Sequence, residues 1–319
     1  MSNSVLCLQL YDKNRSKFIY INQFSNQFNN PNKFLSYIKT LKLLILQLHL
    51  KTNKTTIRDI YYKDVELYNK NQLNCKAILV QMVETSLNWS LTNDLLIFPS
   101  QKGLVYGNGI IINQNIELSY KLDPILIPIA YNDIDFMNKY DNQNSIVVII
   151  VIEKEAIFKS FCNYMKLNEK YQDYYENMGI KLIVITGKGF PDNLTKTFYN
   201  YLSNSCLKCT CLKLAFVDSD IYGINIMKQY DNNPNSLYHA GVYLLDYDQG
   251  WLNISIRDFK LIQNFLIKNP YSDCHRELTR GMLMFKKCEM NLLNNDVING
   301  YILNKIDYYY INKIKMDRK

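Results

Sequence analysis

The sequence predicts an α/β multidomain protein, in which a helical N-terminal domain precedes a larger domain with a parallel β-sheet at its core. Residues 145–152 and 212–217 are largely apolar runs of the kind found in strands buried on both faces of a parallel sheet. From about residue 122 such runs alternate with helical periodicity, whereas residues 34–106 show helices followed by a hairpin pattern. This order favours a winged-helix domain followed by an α/β domain.

The N-terminal domain is predicted to contain three helices and a hairpin. The helices fall at residues 34–50, 57–62 and 75–85, and the hairpin at residues 95–106. Thr56 belongs to an N-cap region for the second helix, and Pro99 and Gly103 mark the turn between the two short strands. Helices followed by such a hairpin are typical of a winged-helix domain, which places one helix in a DNA groove and the wing along the backbone.

The C-terminal domain alternates strands and helices, which implies right-handed crossovers and a parallel core. The predicted strands are residues 126–130, 145–152, 181–186 and 212–217, with residues 242–245 as a further candidate. The predicted helices are residues 155–167, about 192–202 and a helix after 223, and residues 257–293 are predicted to be mostly helical.

Three acidic residues follow the two most buried strands directly. Glu153 ends the first strand, and Asp218 and Asp220 follow the second. In parallel sheets the functional site lies beyond the carboxyl ends of the strands, and carboxylate oxygens are ligands that Mg²⁺ prefers. Asp-x-Asp alone is more commonly a helix N-cap, but Glu153 at a neighbouring strand end favours a metal site and phosphodiester chemistry.

Composition sets further bounds. The formal net charge of +8 suits a polyanionic partner. No apolar run approaches the roughly 20 residues of a membrane span, and the N-terminus lacks the basic start of a signal peptide, so we expect a soluble, intracellular protein without a membrane partner. Cys206, Cys209 and Cys211 form a cluster without a fourth zinc ligand nearby, which favours reduced thiols over a zinc site.

Several segments together resemble one family. Residues 58–62, Arg-Asp-Ile-Tyr-Tyr, resemble the nucleophile motif of the family of the topoisomerase VI A subunit, which includes its meiotic relative sporulation protein eleven. The other resembling segments, in the family's order, are residues 102–107 (its wing), residues 152–156, 186–192 and 217–223 (its Toprim motifs), and residues 257–258, 276–278 and 286–289 (its C-terminal helices). The nucleophile motif, the wing and the three Toprim motifs are five ordered motifs across two domains, which are far more specific than any single one.

The resemblance implies a domain organisation and a set of partners. Residues 1–35 form an N-terminal extension, residues 36–118 a winged-helix (CAP-like) domain with the nucleophilic tyrosine, and residues 119–319 a Toprim domain with C-terminal helices. The active form is implied to be a homodimer that breaks both strands of duplex DNA. The meiotic branch is favoured, which implies a nuclear, chromosome-associated protein. Because no Walker-type loop occurs, we expect that the chain alone is not a complete topoisomerase and needs an accessory subunit. The resemblance implies that its partners are a topoisomerase VI B-like subunit and other meiotic break-forming proteins.

The resemblance also implies roles for individual residues. Tyr62 attacks the DNA phosphodiester and keeps the 5′-phosphate as a phosphotyrosine, with Tyr61 as the rival nucleophile. Arg58 lies one helical turn earlier and can grip the phosphate. Glu153 is implied to handle the proton of the 3′-oxygen. With Asp218 and Asp220 it is also implied to hold Mg²⁺, for which Mn²⁺ can substitute.

Other residues and functions remain open at this point. Lys102 and Lys188 are candidate DNA contacts, although solvated loop lysines deserve nearly equal weight. Phe190 packs against a deoxyribose or caps the sheet. The alternative functions are a Toprim nuclease or primase that uses metal-activated water or a nucleotide, and a DNA-binding or assembly subunit whose catalysis has lapsed. The presence of Tyr62, Glu153, Asp218 and Asp220 together argues against a loss of catalysis.

Overall fold

The computed structural model describes residues 7–12, 16–22, 31–49, 54–129, 134–136, 146–205, 210–231, 236–269, 274–292 and 294–315. The chain divides into two compact units, residues 1–100 and 101–319. The division falls before Gln101, whereas the sequence predicted a boundary after residue 118. The physical reason is that residues 104–107 form a strand in the sheet of the second unit.

The first unit is a helical core with short strands. In chain order it contains β1 (Cys7–Asp12), β2 (Lys17–Asn22), α1 (Pro31–His49), β3 (Thr55–Thr56), α2 (Ile57–Lys63), α3 (Gln72–Leu79) and β4 (Ile97–Phe98). A 3₁₀ turn covers Glu66–Tyr68, and α3 continues as a π-helical segment, Val80–Ser86. The three predicted helices are confirmed. The antiparallel pair β1–β2 was not predicted, because it falls in a segment interpreted as an extension.

The hairpin predicted for residues 95–106 is wrong. Its first half, β4, pairs in parallel with β3, so that Thr55 lies opposite Ile97. Its second half pairs with strands of the second unit. Leu104, Val105 and Tyr106 are all buried, and an exposed wing could not cover both faces of such a strand. The hairpin that supported the winged-helix prediction is therefore not formed by these residues.

The second unit is an α/β domain with a six-stranded sheet in the order β13-β12-β10-β11-β5-β8. Its strands are β5 (Leu104–Gly107), β6 (Ile110–Ile112), β7 (Ile116–Leu118), β8 (Ile125–Leu126), β9 (Ile134–Phe136), β10 (Ile146–Ile152), β11 (Ile180–Thr186), β12 (Thr210–Phe216), β13 (Tyr238–Gly241), β14 (Leu252–Asn253) and β15 (Lys286–Lys287). Its helices are α4 (Glu155–Leu167), α5 (Glu169–Asn177), α6 (Asn193–Ser205), α7 (Ile221–Tyr230), α8 (Ile256–Lys268), α9 (His275–Met284) and α10 (Asn295–Tyr309).

The centre of this sheet is parallel, as predicted. Strand β10 lies between β11 and β12 and runs parallel to both, and every residue of β10 is buried. Val148 and Ile150 face a core with Phe158 of α4, whereas Val147 on the other face packs in a core with Phe198 of α6. Because β10 and β12 are parallel neighbours, their carboxyl ends lie side by side.

Several predicted elements differ at their edges. The strand predicted at residues 126–130 is only the short β8, since residues 128–129 have no strand structure and residue 130 lies outside the described residues. The strand predicted at residues 242–245 is wrong: β13 ends at Gly241, and a 3₁₀ turn, Leu244–Asp246, follows. The helical stretch predicted after residue 257 ends at Phe285, whose left-handed φ of 55° terminates α9 before β15. None of the helices in the described ranges is long and apolar enough to cross a membrane.

Candidate active site

Two of the predicted acids meet at the carboxyl edge of the parallel sheet. Glu153 follows β10, and Asp218 follows β12 after one intervening residue. The Glu153 N–H donates to the Phe216 carbonyl at 3.0 Å, and the Asp218 N–H donates to Glu153 Oε2 at 2.9 Å. Both side chains are buried. The register of the two strands thus brings two carboxylates into one hydrogen-bonded unit.

Burial and the neighbouring negative charges favour the protonated forms of these two carboxyl groups. Burial raises the pKa of Glu153 to about 7, and the negative charges of Asp218 and Asp220 add to the shift. Burial also raises the pKa of Asp218, although the hydrogen bond from Lys154 opposes this. Two acids that both carry charge in this setting repel each other, so the edge of the sheet attracts cations.

Lys154 supplies one such cation. Its Nζ lies 2.8 Å from Asp218 Oδ2 and 3.2 Å from Glu289 Oε2. Burial alone would lower the pKa of Lys154, but the bonds to Asp218 and Glu289 more than offset this and raise the pKa overall. The other oxygen, Asp218 Oδ1, accepts a hydrogen bond from the Met290 N–H at 2.8 Å. Both Asp218 oxygens are therefore engaged.

Asp220 caps helix α7. Its Oδ1 accepts from the N–H groups of Tyr222 and Gly223 at 2.9 and 2.8 Å, which is the ordinary N-cap geometry. The Lys287 Nζ lies 3.7 Å from Asp220 Oδ2 and 3.7 Å from an Asp258 oxygen. The N-cap interpretation of Asp-x-Asp is therefore correct for Asp220, and its second oxygen faces a second lysine.

The donor chemistry of the site fits Mg²⁺ or Mn²⁺. Within the described ranges, no three acidic, histidine or cysteine side chains converge closely enough to hold a metal ion as they stand. Glu153, Asp218 and Asp220 are nevertheless all carboxylates at one sheet edge, the ligand type that these ions prefer. The ammonium groups of Lys154 and Lys287 already lie against two of them. A divalent cation would take over charge compensation that the lysines now provide.

The loop that carries the two aspartates is held by residues whose role the sequence analysis missed. Ser219 Oγ donates to Glu277 Oε1 of α9 at 2.7 Å, and the Ser219 N–H donates to the Cys288 carbonyl at 2.8 Å. Gly223 lets the first turn of α7 approach the loop, because an added Cβ would lie 2.3 Å from the Asp218 carbonyl oxygen. The signals for these residues, the Arg-Glu-Leu segment and the glycine after Asp-x-Asp, were present in the motifs but not interpreted as supports.

The predicted nucleophile lies on the exposed face of α2 in the first unit. Arg58 Nη2 donates to Tyr62 Oη at 3.3 Å, and the guanidinium carbon lies 5.5 Å from the centre of the Tyr62 ring. The hydrogen bond to Tyr62 raises the pKa of Arg58. Tyr62 is 59% exposed, whereas Tyr61 is half-buried and packs in the core of the unit near Tyr68. Helix α2 begins at a capping box formed by Thr56 and Asp59.

The three predicted DNA contacts lie in the second unit. Lys102 Nζ donates to the Phe190 carbonyl at 2.9 Å, and the Phe190 side chain is 51% exposed. Lys188 pairs with Glu155 at 3.1 Å, and the next N–H along the chain, that of Gly189, donates to the Glu153 carbonyl at 2.8 Å. The loop that carries Lys188 and Phe190 is thus anchored to the acidic edge. Lys102, predicted at the turn of a wing, belongs to the second unit instead.

The cysteine cluster lies mostly outside the described residues. Cys206 and Cys209 fall there, and Cys211 is half-buried at the start of β12.

Both parts of the chain are similar to known proteins. Residues 148–299 match the model of the Toprim domain shared by the topoisomerase 6 A subunit and Spo11, and residues 32–95 match a model of type IIB DNA topoisomerase. The meiosis-specific protein SPO11 of Saccharomyces cerevisiae is 28% identical over 307 residues, covering 80% of this chain and 70% of the yeast protein. The A subunit of DNA topoisomerase 6 of Arabidopsis thaliana is 28% identical over 219 residues, covering 67% of this chain and 46% of the plant protein.

A third relative is the meiotic recombination protein SPO11-1 of Oryza sativa subsp. indica, which is 28% identical over 228 residues, covering 68% of this chain and 53% of that protein. The chain therefore spans only about half the length of the two plant relatives.

Proposed function

The chain belongs to the family of the topoisomerase 6 A subunit and Spo11, and we propose that it forms meiotic DNA double-strand breaks as a type IIB topoisomerase-like tyrosine transesterase. The substrate is duplex DNA, and the product is a break whose 5′-phosphate is joined to Tyr62. The observation that carries the proposal is the pairing of an exposed tyrosine with an arginine on α2, in a chain whose second unit presents three acids at a sheet edge.

In the proposed reaction, Tyr62 Oη bonds to phosphorus while the bond from phosphorus to the 3′-oxygen breaks. The phenol loses its proton and the 3′-oxygen gains one, so the overall step is neutral and reversible. Arg58 lies close enough to grip the phosphate with a charge-assisted hydrogen bond. The exposure of Tyr62 supports it over Tyr61, whose packing in the core restricts its access to DNA.

The acids of the second unit complete the chemistry. Glu153 would give a proton to the 3′-oxygen and take it back during resealing. Glu153, Asp218 and Asp220 would hold Mg²⁺ or Mn²⁺, and the bound ion would neutralise charge on the phosphate and the leaving oxygen. Lys102, Lys188 and Phe190 would contact the DNA backbone beside this edge.

The assembly follows from the same proposal. The helical first unit would present Tyr62 to DNA, and two copies of the chain would be needed to cut both strands. Other meiotic break-forming proteins and a topoisomerase VI B-like subunit would activate the dimer on chromosomes in the nucleus.

The direct test is to trap the covalent protein–DNA complex with the purified chain, its partner proteins and duplex DNA. Denaturation followed by nuclease digestion and mass spectrometry would locate the modified residue. We expect a single phosphotyrosine at Tyr62. Breaks without any covalent adduct would instead indicate a nuclease that uses activated water, and DNA binding without breaks would indicate a subunit whose catalysis has lapsed.

A further inference from the structure

Lys154 lies among the acidic side chains at the edge of the sheet. Its side chain is 19% exposed and bridges the buried Asp218 and the half-buried Glu289. Lys154 is also the N-cap position of α4, directly after Glu153. The backbone therefore keeps its ammonium group at the edge of the sheet.

The two oxygens of Asp218 are not equivalent. Asp218 Oδ1 accepts from the buried Met290 N–H at 2.8 Å, and withdrawing it would leave a buried donor unpaired, which is unfavourable. Asp218 Oδ2 is held by the flexible side chain of Lys154. Oδ2 is therefore the oxygen that a metal ion could take, and it is the oxygen that Lys154 holds.

Glu289 provides an alternative partner for the displaced ammonium. Its Oε2 already lies 3.2 Å from Lys154 Nζ, and its neighbour Met290 is fixed to Asp218. Glu289 is 34% exposed whereas Asp218 is 9% exposed. The Lys154 ammonium can thus remain charged and paired with Glu289 when Asp218 binds another cation.

The second lysine of the site is placed differently. The Lys287 Nζ lies 3.7 Å from Asp220 Oδ2 and 3.7 Å from Asp258 Oδ2. Its positive charge is therefore divided between two acids, and it is close to neither. The competition with a metal ion is therefore concentrated on Lys154.

We infer that Lys154 is the resident counter-ion of the acidic site, that it competes with the divalent metal for Asp218 Oδ2, and that Glu289 receives its ammonium group when the metal binds. This inference rests on the metal site of the proposed function. Lys154 and Glu289 are then positioning residues with opposite effects on metal affinity. Lys154 lowers the affinity because it competes with the metal, and Glu289 raises it because it pairs with the displaced Lys154.

Mn²⁺ binding to the full chain without DNA tests this, measured by titration calorimetry and by the electron paramagnetic resonance signal of free Mn²⁺. For Lys154→Met we expect a dissociation constant lower by on the order of tenfold, because a like charge beside the ion is removed. For Glu289→Gln we expect a higher dissociation constant, because Lys154 then pairs with Asp218 alone. Lys159→Met is the matched control, since Lys159 lies on α4 one turn after the N-cap position and also forms a close ion pair, at 2.7 Å, but with Glu155 of the same helix.

The outcomes separate the inference from the proposed function. If the wild type binds Mn²⁺, Asp218→Asn does not, and both Lys154→Met and Glu289→Gln match the control, the metal site stands and the inference is wrong. If neither the wild type nor Lys154→Met binds Mn²⁺, both fail. Glu289→Gln changes a half-exposed residue and preserves its shape, so it decides the question even if Lys154→Met does not fold.

Discussion

Glu153 and Asp218 are joined by a 2.9 Å hydrogen bond from the Asp218 N–H to Glu153 Oε2, although 65 residues separate them in sequence. The bond exists because β10 and β12 are parallel neighbours in matched register. It orients Glu153 toward Asp218 while burial and the aspartate charges disfavour ionisation of Glu153. The same contact that builds the site therefore stores electrostatic repulsion in it when no metal is bound.

Replacing Glu153 with Gln should stabilise the metal-free protein at high pH. The folded pKa of Glu153, about 7, lies above its ordinary value of 4.5, so the wild type loses stability as pH rises between these values. Gln carries no charge and can still accept the Asp218 N–H. We expect Glu153→Gln to raise the free energy of unfolding by up to about 3 kcal/mol at pH 8 in chelator, with the gain vanishing at pH 4.5. Urea denaturation at the two pH values measures the difference, and equal stability at pH 8 contradicts the electrostatic account.

Replacing Tyr62 with Phe should abolish covalent adducts and DNA breaks. The ring and its contact with the Arg58 guanidinium remain, whereas the attacking oxygen and its hydrogen bond from Arg58 are lost. Because Tyr62 is exposed, folding and DNA affinity should be close to those of the wild type. Adducts are measured on denaturing gels, and affinity by fluorescence anisotropy. Tyr61→Phe is the matched control and should retain cleavage. If Tyr62→Phe forms adducts and Tyr61→Phe does not, the nucleophile is the neighbour.

The two aspartates should respond differently to substitution. Asp218→Ala should eliminate cleavage. Asp220→Ala should leave a remnant that Mn²⁺ enhances, because Mn²⁺ tolerates less regular ligand sets. Asp220→Ala also removes the cap of α7 at a cost of about 1 kcal/mol, whereas Asp220→Asn keeps the cap oxygen. Thermal melts and cleavage assays on the three variants separate capping from catalysis, and full activity in chelator would falsify the metal site.

The buried His239 should make the protein acid-sensitive. Burial, together with the nearby charge of Lys305, lowers the pKa of His239 to about 4 from an ordinary value of 6.5. The unfolded chain therefore binds a proton between these values that the folded chain does not, and stability falls as pH falls. We expect a loss of about 3 kcal/mol from this residue between pH 6.5 and 4. Denaturation of His239→Gln over that range should show a correspondingly shallower slope, and an identical slope argues against a buried neutral imidazole.

Mixed dimers test how the proposed sites are built. A Tyr62→Phe protomer paired with a Glu153→Ala protomer leaves one intact site if each site joins Tyr62 of one protomer to the acids of its partner. Single-strand nicks are then expected from verified heterodimers bound to DNA. Complete inactivity of the mixture would show that each site is formed within one chain.

The sequence predicted the parallel sheet and the placement of its acids well, because both depend on short-range signals. An apolar run such as residues 145–152 can be buried only inside a covered sheet, and an acid at its end must lie at the sheet edge. Helix α4 was predicted with the bounds that the structure has, Glu155–Leu167. Strand β5 was misassigned because its pairing partner, β11, lies far along the chain and leaves no local pattern.

The side chains that surround the acids could not be predicted from local sequence patterns either. Asp220 was weighed between a cap and a metal ligand, and the structure shows that one oxygen caps while the other faces the ammonium of Lys287. Lys154 and Glu289 lie within the family motifs, but their meeting around Asp218 depends on how residues 286–290 return to the sheet. Pairings of that kind follow from tertiary structure, not from spacing.

The loop of Asp218 is held by three hydrogen bonds: from Ser219 Oγ to Glu277, from the Ser219 N–H to the Cys288 carbonyl, and from the Met290 N–H to Asp218 Oδ1. During synthesis at the ribosome, the strand that precedes the aspartates emerges well before the residues that hold them. The acidic edge is therefore organised only after residues 277–290 have emerged, and a nascent chain stalled before residue 277 carries all three acids without the hydrogen bonds that hold their loop. Order of synthesis thus delays assembly of the acidic edge until the residues that hold it have been made.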